Sequence, residues 1–221
     1  MKNLFSMDGG LFRFLSGLAD MMILNIIFLI CCIPVVTIGA AVTSLSYVML
    51  KMRDNEEGYI VRSFFKAFKM NFKQSTLIWL MLLFFAVVLG LDFYLLSNMT
   101  GMLAQVMRVL VYMGGIIWLM IFLYVFPLQS RFYNSIRNTL KNAVLLSLAN
   151  FPKTLSMIVL VVAAVVVTMW NGTTFWYGLL FWFMFGFATI AFLNSFLLHG
   201  ILKKMMPKEE DEAEEGKEES I

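Results

Sequence analysis

The sequence predicts an all-α, polytopic transmembrane bundle with five to six spans and two amphipathic interfacial helices. Three observations carry that expectation. Hydrophobic residues make up 61% of the 221 positions and charged ones only 14%, far from the balance of a soluble domain. Four tracts, 21–50, 74–91, 109–130 and 154–202, contain no Asp, Glu, Lys or Arg, and about 20 residues rising about 1.5 Å each suffice to cross the hydrocarbon core. The charges that remain are segregated. Eight of the 14 acids fall between Glu209 and Glu219. The first 207 residues keep fifteen bases against six acids, a body charge of +9 inside a chain whose total is +3.

The first tract holds Pro34 and Gly39 and would be about 45 Å long as one helix. Proline lacks a backbone donor and disfavours helix in the residue before it. Two readings follow: spans at 11–32 and 36–50 joined as a hairpin, or one kinked span over 21–48. Next, Val61, Phe64, Phe65, Phe68 and Phe72 recur at helical spacing, and Arg62, Lys66, Lys69 and Lys73 follow one residue out of phase. This pattern predicts an amphipathic helix over about 58–73, lying at the membrane surface with its bases toward anionic lipid or docked on a partner protein.

Spans are then expected at 77–96 and 106–127. A second amphipathic helix is expected at 130–150, where Phe132, Ile136, Leu140, Val144 and Leu148 oppose Arg137, Asn138, Lys141 and Asn142. The 154–202 tract is too long for one crossing. Asn171-Gly172-Thr173-Thr174, flanked by Trp170, Phe175, Trp176 and Tyr177, divides it into spans 154–170 and 175–199. Residues 1–206 thus form a membrane domain, and the Glu-rich 207–221 segment reads as a solvated, disordered tail.

Orientation follows from charge. Twelve bases, Lys51, Arg53, Arg62, Lys66, Lys69, Lys73, Arg131, Arg137, Lys141, Lys153, Lys203 and Lys204, sit between spans on one side, whereas the other side contributes Arg108 alone. The positive-inside rule then makes both long loops and the C-terminus cytoplasmic in a plasma-membrane protein. Lys2 and Arg13 favour an inside N-terminus and hence six crossings. The segments "NFKQSTLIWL" from Asn71 and "NFPKTLSMIV" from Asn150 place similar residues at two span mouths, which fits a parallel internal repeat or shared boundary chemistry.

Residues with catalytic chemistry are few. His199 is the one histidine and has no acid or nucleophile near it in sequence. Cys31 and Cys32 are adjacent in an apolar tract, which suits small hydrophobes rather than a disulfide or a metal site. No phosphate-binding glycine loop, HExxH or CxxC occurs. The expectation is a protein that is not an enzyme, with no cofactor, no metal site and no nucleic-acid partner. Asp92 and Arg108 flank the turn near Thr100 in adjacent spans, and each is costly in lipid alone, so an ion pair between them is expected. Ala40 with Ser44, Ala86 with Gly90, and Gly114 with Gly115 offer small-residue seams between helices.

The segments "GGLFRFLSGLADMMILNIIFLICCIPVVTIGAAVTSLSYVMLKM", "DNEEGYIVRSFFKAFKMNFKQSTLIWL" and "NTLKNAVLLSLANFP" resemble the YesL-like bacterial membrane proteins, a domain family of unknown function. The resemblance extends to about Lys204 and omits the acidic tail. It implies a Gram-positive setting, a gene encoded near those of carbohydrate uptake transporters of the ATP-binding-cassette (ABC) type and of polysaccharide degradation, and an accessory or regulatory role toward them. It supplies no catalytic or binding residues. The other readings open at this point are a transporter subunit with its own translocation path and a membrane-structural protein that binds anionic lipid.

Overall fold

A computed structural model describes residues 10–54 and 59–205, which are helical almost throughout, with no strand among them. The helices are α1 (Gly10–Cys32), α2 (Ile38–Arg53), α3 (Ile60–Ser97), α4 (Met102–Arg131), α5 (Ile136–Ala149), α6 (Phe151–Met169), α7 (Gly172–Phe181) and α8 (Phe187–Leu202). A π-helical turn, Trp182–Gly186, joins α7 to α8 without a break. Six segments are long and apolar enough to cross a membrane: Leu15–Cys32, Val35–Arg53, Ile60–Ser97, Met102–Arg131, Phe151–Met169 and Gly172–Met205. The fold is that of a multi-pass helical membrane protein. The expectations placed on Lys2, on the side chain of Arg13 and on the 207–221 tail lie outside the described residues.

The first tract is two helices, not one kinked helix. Pro34 takes an extended conformation (φ −76°, ψ 115°) and a short 3-10 turn, Val35–Thr37, starts α2. Carbonyls freed by the break find donors. Thr37 Oγ1 donates to the Cys31 and Pro34 carbonyls, and the Trp79 indole N–H donates to Val35 O at 2.7 Å. Hydrocarbon offers no water to do this, so a broken span needs such partners.

α2 is the axis of the bundle. Gly39, Ala40, Ala41, Thr43, Ser44, Leu45, Val48, Met49 and Leu50 are all buried in it. The small residues at its start let α3 approach closely, and Thr43 Oγ1 meets Ser75 Oγ at 2.8 Å. Gly39 and Thr43 therefore form the seam with α3, and Ala40 and Ser44 beside them are fully buried; Gly114 forms another seam, where an added Cβ would come within 3.0 Å of Leu89 Cδ2. Gly90 and Gly115 do not, because open space surrounds each.

Two expected interfacial helices take a different form. The 58–73 pattern is no separate helix: it is the first part of α3, a single helix of 38 residues, about 57 Å long. Nothing interrupts it, because residues 60–97 contain no proline and no glycine before Gly90. The turn between α1 and α2 meets α3 about halfway along, at Ser75 and Trp79. Beyond that point α3 pairs with α4 through Trp118 Nε1 to Leu82 O and a Phe93–Tyr112 ring contact.

In the second case α4 runs on to Arg131, and a helix restarts at Ile136 with Ser135 as its N-cap. The buried stripe of α5 is Thr139, Ala143 and Ser147, while Leu148 stays exposed. The expected stripe of Ile136, Leu140, Val144 and Leu148 is thus rotated by one position. Small side chains bring α5 close to α4, and their hydroxyls bond to backbone carbonyls, Thr139 to Ser135 and Ser147 to Val144. The larger leucines spread to the flanks.

Candidate functional site

The ends of α2, α4 and α8 meet in a cluster of charged side chains. Asp54 follows α2 as its C-cap. Its carboxylate accepts from Arg131 Nη2 at 3.0 Å and from Arg53 Nη1 at 3.4 Å, and His199 Nδ1 lies 3.0 Å away. Arg53 also lies over the Phe196 ring, 5.3 Å from its centroid. The side chains are between 15% and 28% exposed, so solvent weakens the ion pairs without removing them. The cluster fastens three helices that are far apart in sequence. Asp54→Ala is expected to lower stability by about 1–3 kcal/mol, because two arginines and a histidine lose their shared acceptor. Asp54→Asn, which keeps one acceptor oxygen, should lose less. Unfolding in mild detergent measures both, and a wild-type midpoint for Asp54→Ala would remove the latch assigned to this carboxylate.

Nearby, Gln129 Nε2 reaches Asn71 Oδ1 and Thr139 Oγ1 reaches Gln129 Oε1, each at 3.4 Å, and Gln74 Nε2 donates to Asn134 O at 2.6 Å. Tyr124 and Thr154 hydroxyls meet at 2.8 Å. These bonds tie α3, α4, α5 and α6 together and satisfy buried polar groups.

One helical turn from the charged cluster lies a cavity of about 380 Å³, bounded by α1, α2, α4, α6 and α8. Leu50, Pro127 and Ser195 line it, each four residues before Asp54, Arg131 and His199 respectively. Asn194 also lines it. Its far wall is the π-helical turn. A π turn leaves backbone groups without their usual partners, and Asn25, fully buried on α1, supplies them. Asn25 Nδ2 donates to the Trp182 and Phe183 carbonyls (3.0 and 2.8 Å), and its Oδ1 accepts from Ala188 N–H (3.0 Å). Trp182 packs its ring over Gly186, where a Cβ would collide with it, and donates to Thr168 Oγ1 at 2.9 Å.

The residues singled out in the sequence separate as follows. Asp92 and Arg108 form no ion pair. Asp92 is exposed on α3, whereas Arg108 donates through Nε and Nη2 to Leu96 O (3.1 and 2.8 Å) and through Nη2 to Met99 O. The last carbonyls of a helix lack intrahelical donors, and the end of α3 offers them closer to Arg108 than Asp92 lies. On the first part of α3, Phe64 is fully buried against α1, α2 and α8 and Phe68 packs beside it. Phe64 is thus a core residue and no docking contact. Arg62, Phe65, Lys66, Lys69, Phe72 and Lys73 remain exposed. Phe65, Phe68, Lys69, Met70, Phe72 and Lys73 border a surface groove there.

Cys31 and Cys32 are free and half-buried. No group of three or more His, Cys, Asp and Glu side chains among the described residues is placed to hold a metal ion. Sequence reasoning missed Asp54, Asn25 and Asn194. An uncharged Asn inside an apolar tract was the available signal for the last two.

A search of the curated proteins and of the solved structures finds no match. Residues 21–93, from the middle of α1 to near the end of α3, match the family model described as "Protein of unknown function, DUF624". That stretch, about a third of the chain, includes the α1–α2 hairpin, the Gly39 seam and Asp54, and over it the chain is similar to this family, in which the YesL-like proteins are placed.

Proposed function

We propose that this multi-pass protein is a non-enzymatic accessory or regulatory subunit for carbohydrate uptake by an ABC-type transporter, with the charged end of the bundle facing the cytoplasm. The carbohydrate link comes from the family resemblance. The observation that supports a docking role is the uncovered face of α3, where Phe65, Met70 and Phe72 are 49%, 55% and 37% exposed between the exposed bases Arg62, Lys66, Lys69 and Lys73. Aromatic side chains flanked by bases suit both a protein partner and an anionic leaflet. The cavity speaks against a sugar-conducting path, because Ser46, Asn194, Ser195 and Trp182 are the polar side chains among its lining residues, and sugars need many hydrogen-bonding groups.

Co-purification from native membranes in mild detergent tests this reading. Phe65→Ala and Phe72→Ala are expected to cost about 2 kcal/mol of partner affinity each if they anchor an interface. Replacing Arg62, Lys66, Lys69 and Lys73 with glutamine should instead weaken attraction to anionic lipid in steps of at most about 1 kcal/mol per charge. If no transporter component is recovered with the wild type under reversible crosslinking, the accessory role fails. If both phenylalanine variants keep full recovery, this face of α3 is a membrane anchor alone.

A further inference from the structure

We propose that the cavity between α2, α4, α6 and α8 binds an uncharged long-chain alcohol dissolved in the membrane, with the carboxamide of Asn194 holding its hydroxyl. The inference is independent of the transporter role. The cavity's volume of about 380 Å³ lies in the range of small-molecule sites, about 300–1,000 Å³. None of its lining residues is charged, so an ionic headgroup would lie there without a counter-charge, at high cost. Its rim is open to the surroundings at Val165 and Phe187, which are 44% and 38% exposed. Both are apolar and lie on spans, so entry is from the bilayer.

Asn194 specifies the polar part of the ligand. It is 7% exposed, and its Oδ1 is buried without a partner. The two other buried asparagines among the described residues are both engaged: Asn25 clips the π turn, and Asn71 donates to Ala67 O and accepts from Gln129. An amide left unpaired in an apolar site is costly. A hydroxyl relieves the cost because it both donates to the amide oxygen and accepts from the amide nitrogen. One such group suffices, since the Ser195 hydroxyl already donates to Phe192 O. The remaining wall, including Phe28, Val42, Phe122 and Val161, takes a hydrocarbon chain.

The test uses the full-length protein in phosphatidylcholine nanodiscs with a hexadecanol probe carrying a mid-chain diazirine. Labelling should saturate and map to residues on α2, α6 and α8 that line the cavity. Unlabelled hexadecanol should compete about tenfold better than hexadecane, the effect of one net hydrogen bond. Asn194→Leu, which keeps the branching of asparagine without its polar atoms, should still take up the chain and lose that tenfold preference. Val165→Trp, at the exposed rim, should abolish saturable labelling. Labelling spread over the lipid-facing surface without saturation, equal competition by alcohol and alkane in the wild type, or undiminished labelling of Val165→Trp would each overturn the assignment. Should Asn194→Leu not fold, the wild-type comparison and Val165→Trp still decide it.

Discussion

Asn25→Leu is expected to cost about 3 kcal/mol or more of stability, because it removes the side-chain partner shared by two carbonyls and one N–H in an interior without water. Leucine keeps the branching of asparagine but is bulkier, so some overpacking adds to the lost hydrogen bonds in that figure. The Trp182 and Phe183 carbonyls and the Ala188 N–H all bond to this one side chain, and Asn25 is fully buried. The wide turn therefore depends on α1, a helix more than 150 residues away in sequence. The expected signature is an early loss of α1–α8 contact. Limited proteolysis should cut the α1–α2 hairpin from the variant at denaturant concentrations that leave the wild type intact. A variant with wild-type unfolding and cleavage would show that the π turn satisfies itself, and would remove Asn25 as its clip.

The order and approximate bounds of the helices were legible because hydrophobic runs and charge segregation are properties of contiguous sequence. The hairpin at Pro34 was half legible: a missing N–H predicts a break, but the choice between a kink and a reversal depends on Trp79 and Thr37 accepting the task of satisfying freed carbonyls. The amphipathic stripe of α3 was legible as a helix, but not how its phenylalanines divide between core and surface. Phe64 and Phe65 are adjacent, yet one is fully buried and the other half exposed, since periodicity gives faces and not what covers them. The Asp92–Arg108 expectation failed for a related reason. Formal charge shows in the sequence, whereas the unpaired carbonyls that end α3 do not. Asp54 was invisible as a site because its partners Arg131 and His199 come from other helices.

Gly39→Val is expected to cost about 3 kcal/mol, the upper end of what an overpacked core exacts, and to lower folded yield with it. A Cβ at this position would overlap the Ser75 carbonyl oxygen and come within 2.5 Å of Trp79 Cβ. One of these obstacles is backbone and the other is the first atom of a side chain, so neither can rotate away. α2 and α3 must separate instead. Separation stretches the Thr43–Ser75 contact (2.8 Å) and the Trp79 to Val35 bond (2.7 Å), which frees a carbonyl in the break after Pro34. The damage should therefore spread from a steric overlap to the α1–α2 hairpin. Gly90→Ala is the matched control, since nothing lies within 4 Å of the added methyl. It should leave stability unchanged or raise it by about 0.5–1 kcal/mol, as alanine loses less backbone freedom in a helix. Equal unfolding midpoints for Gly39→Val and Gly90→Ala would mean that α2 and α3 are not held at this distance, and that the close seam at Gly39 does not set the packing of the bundle.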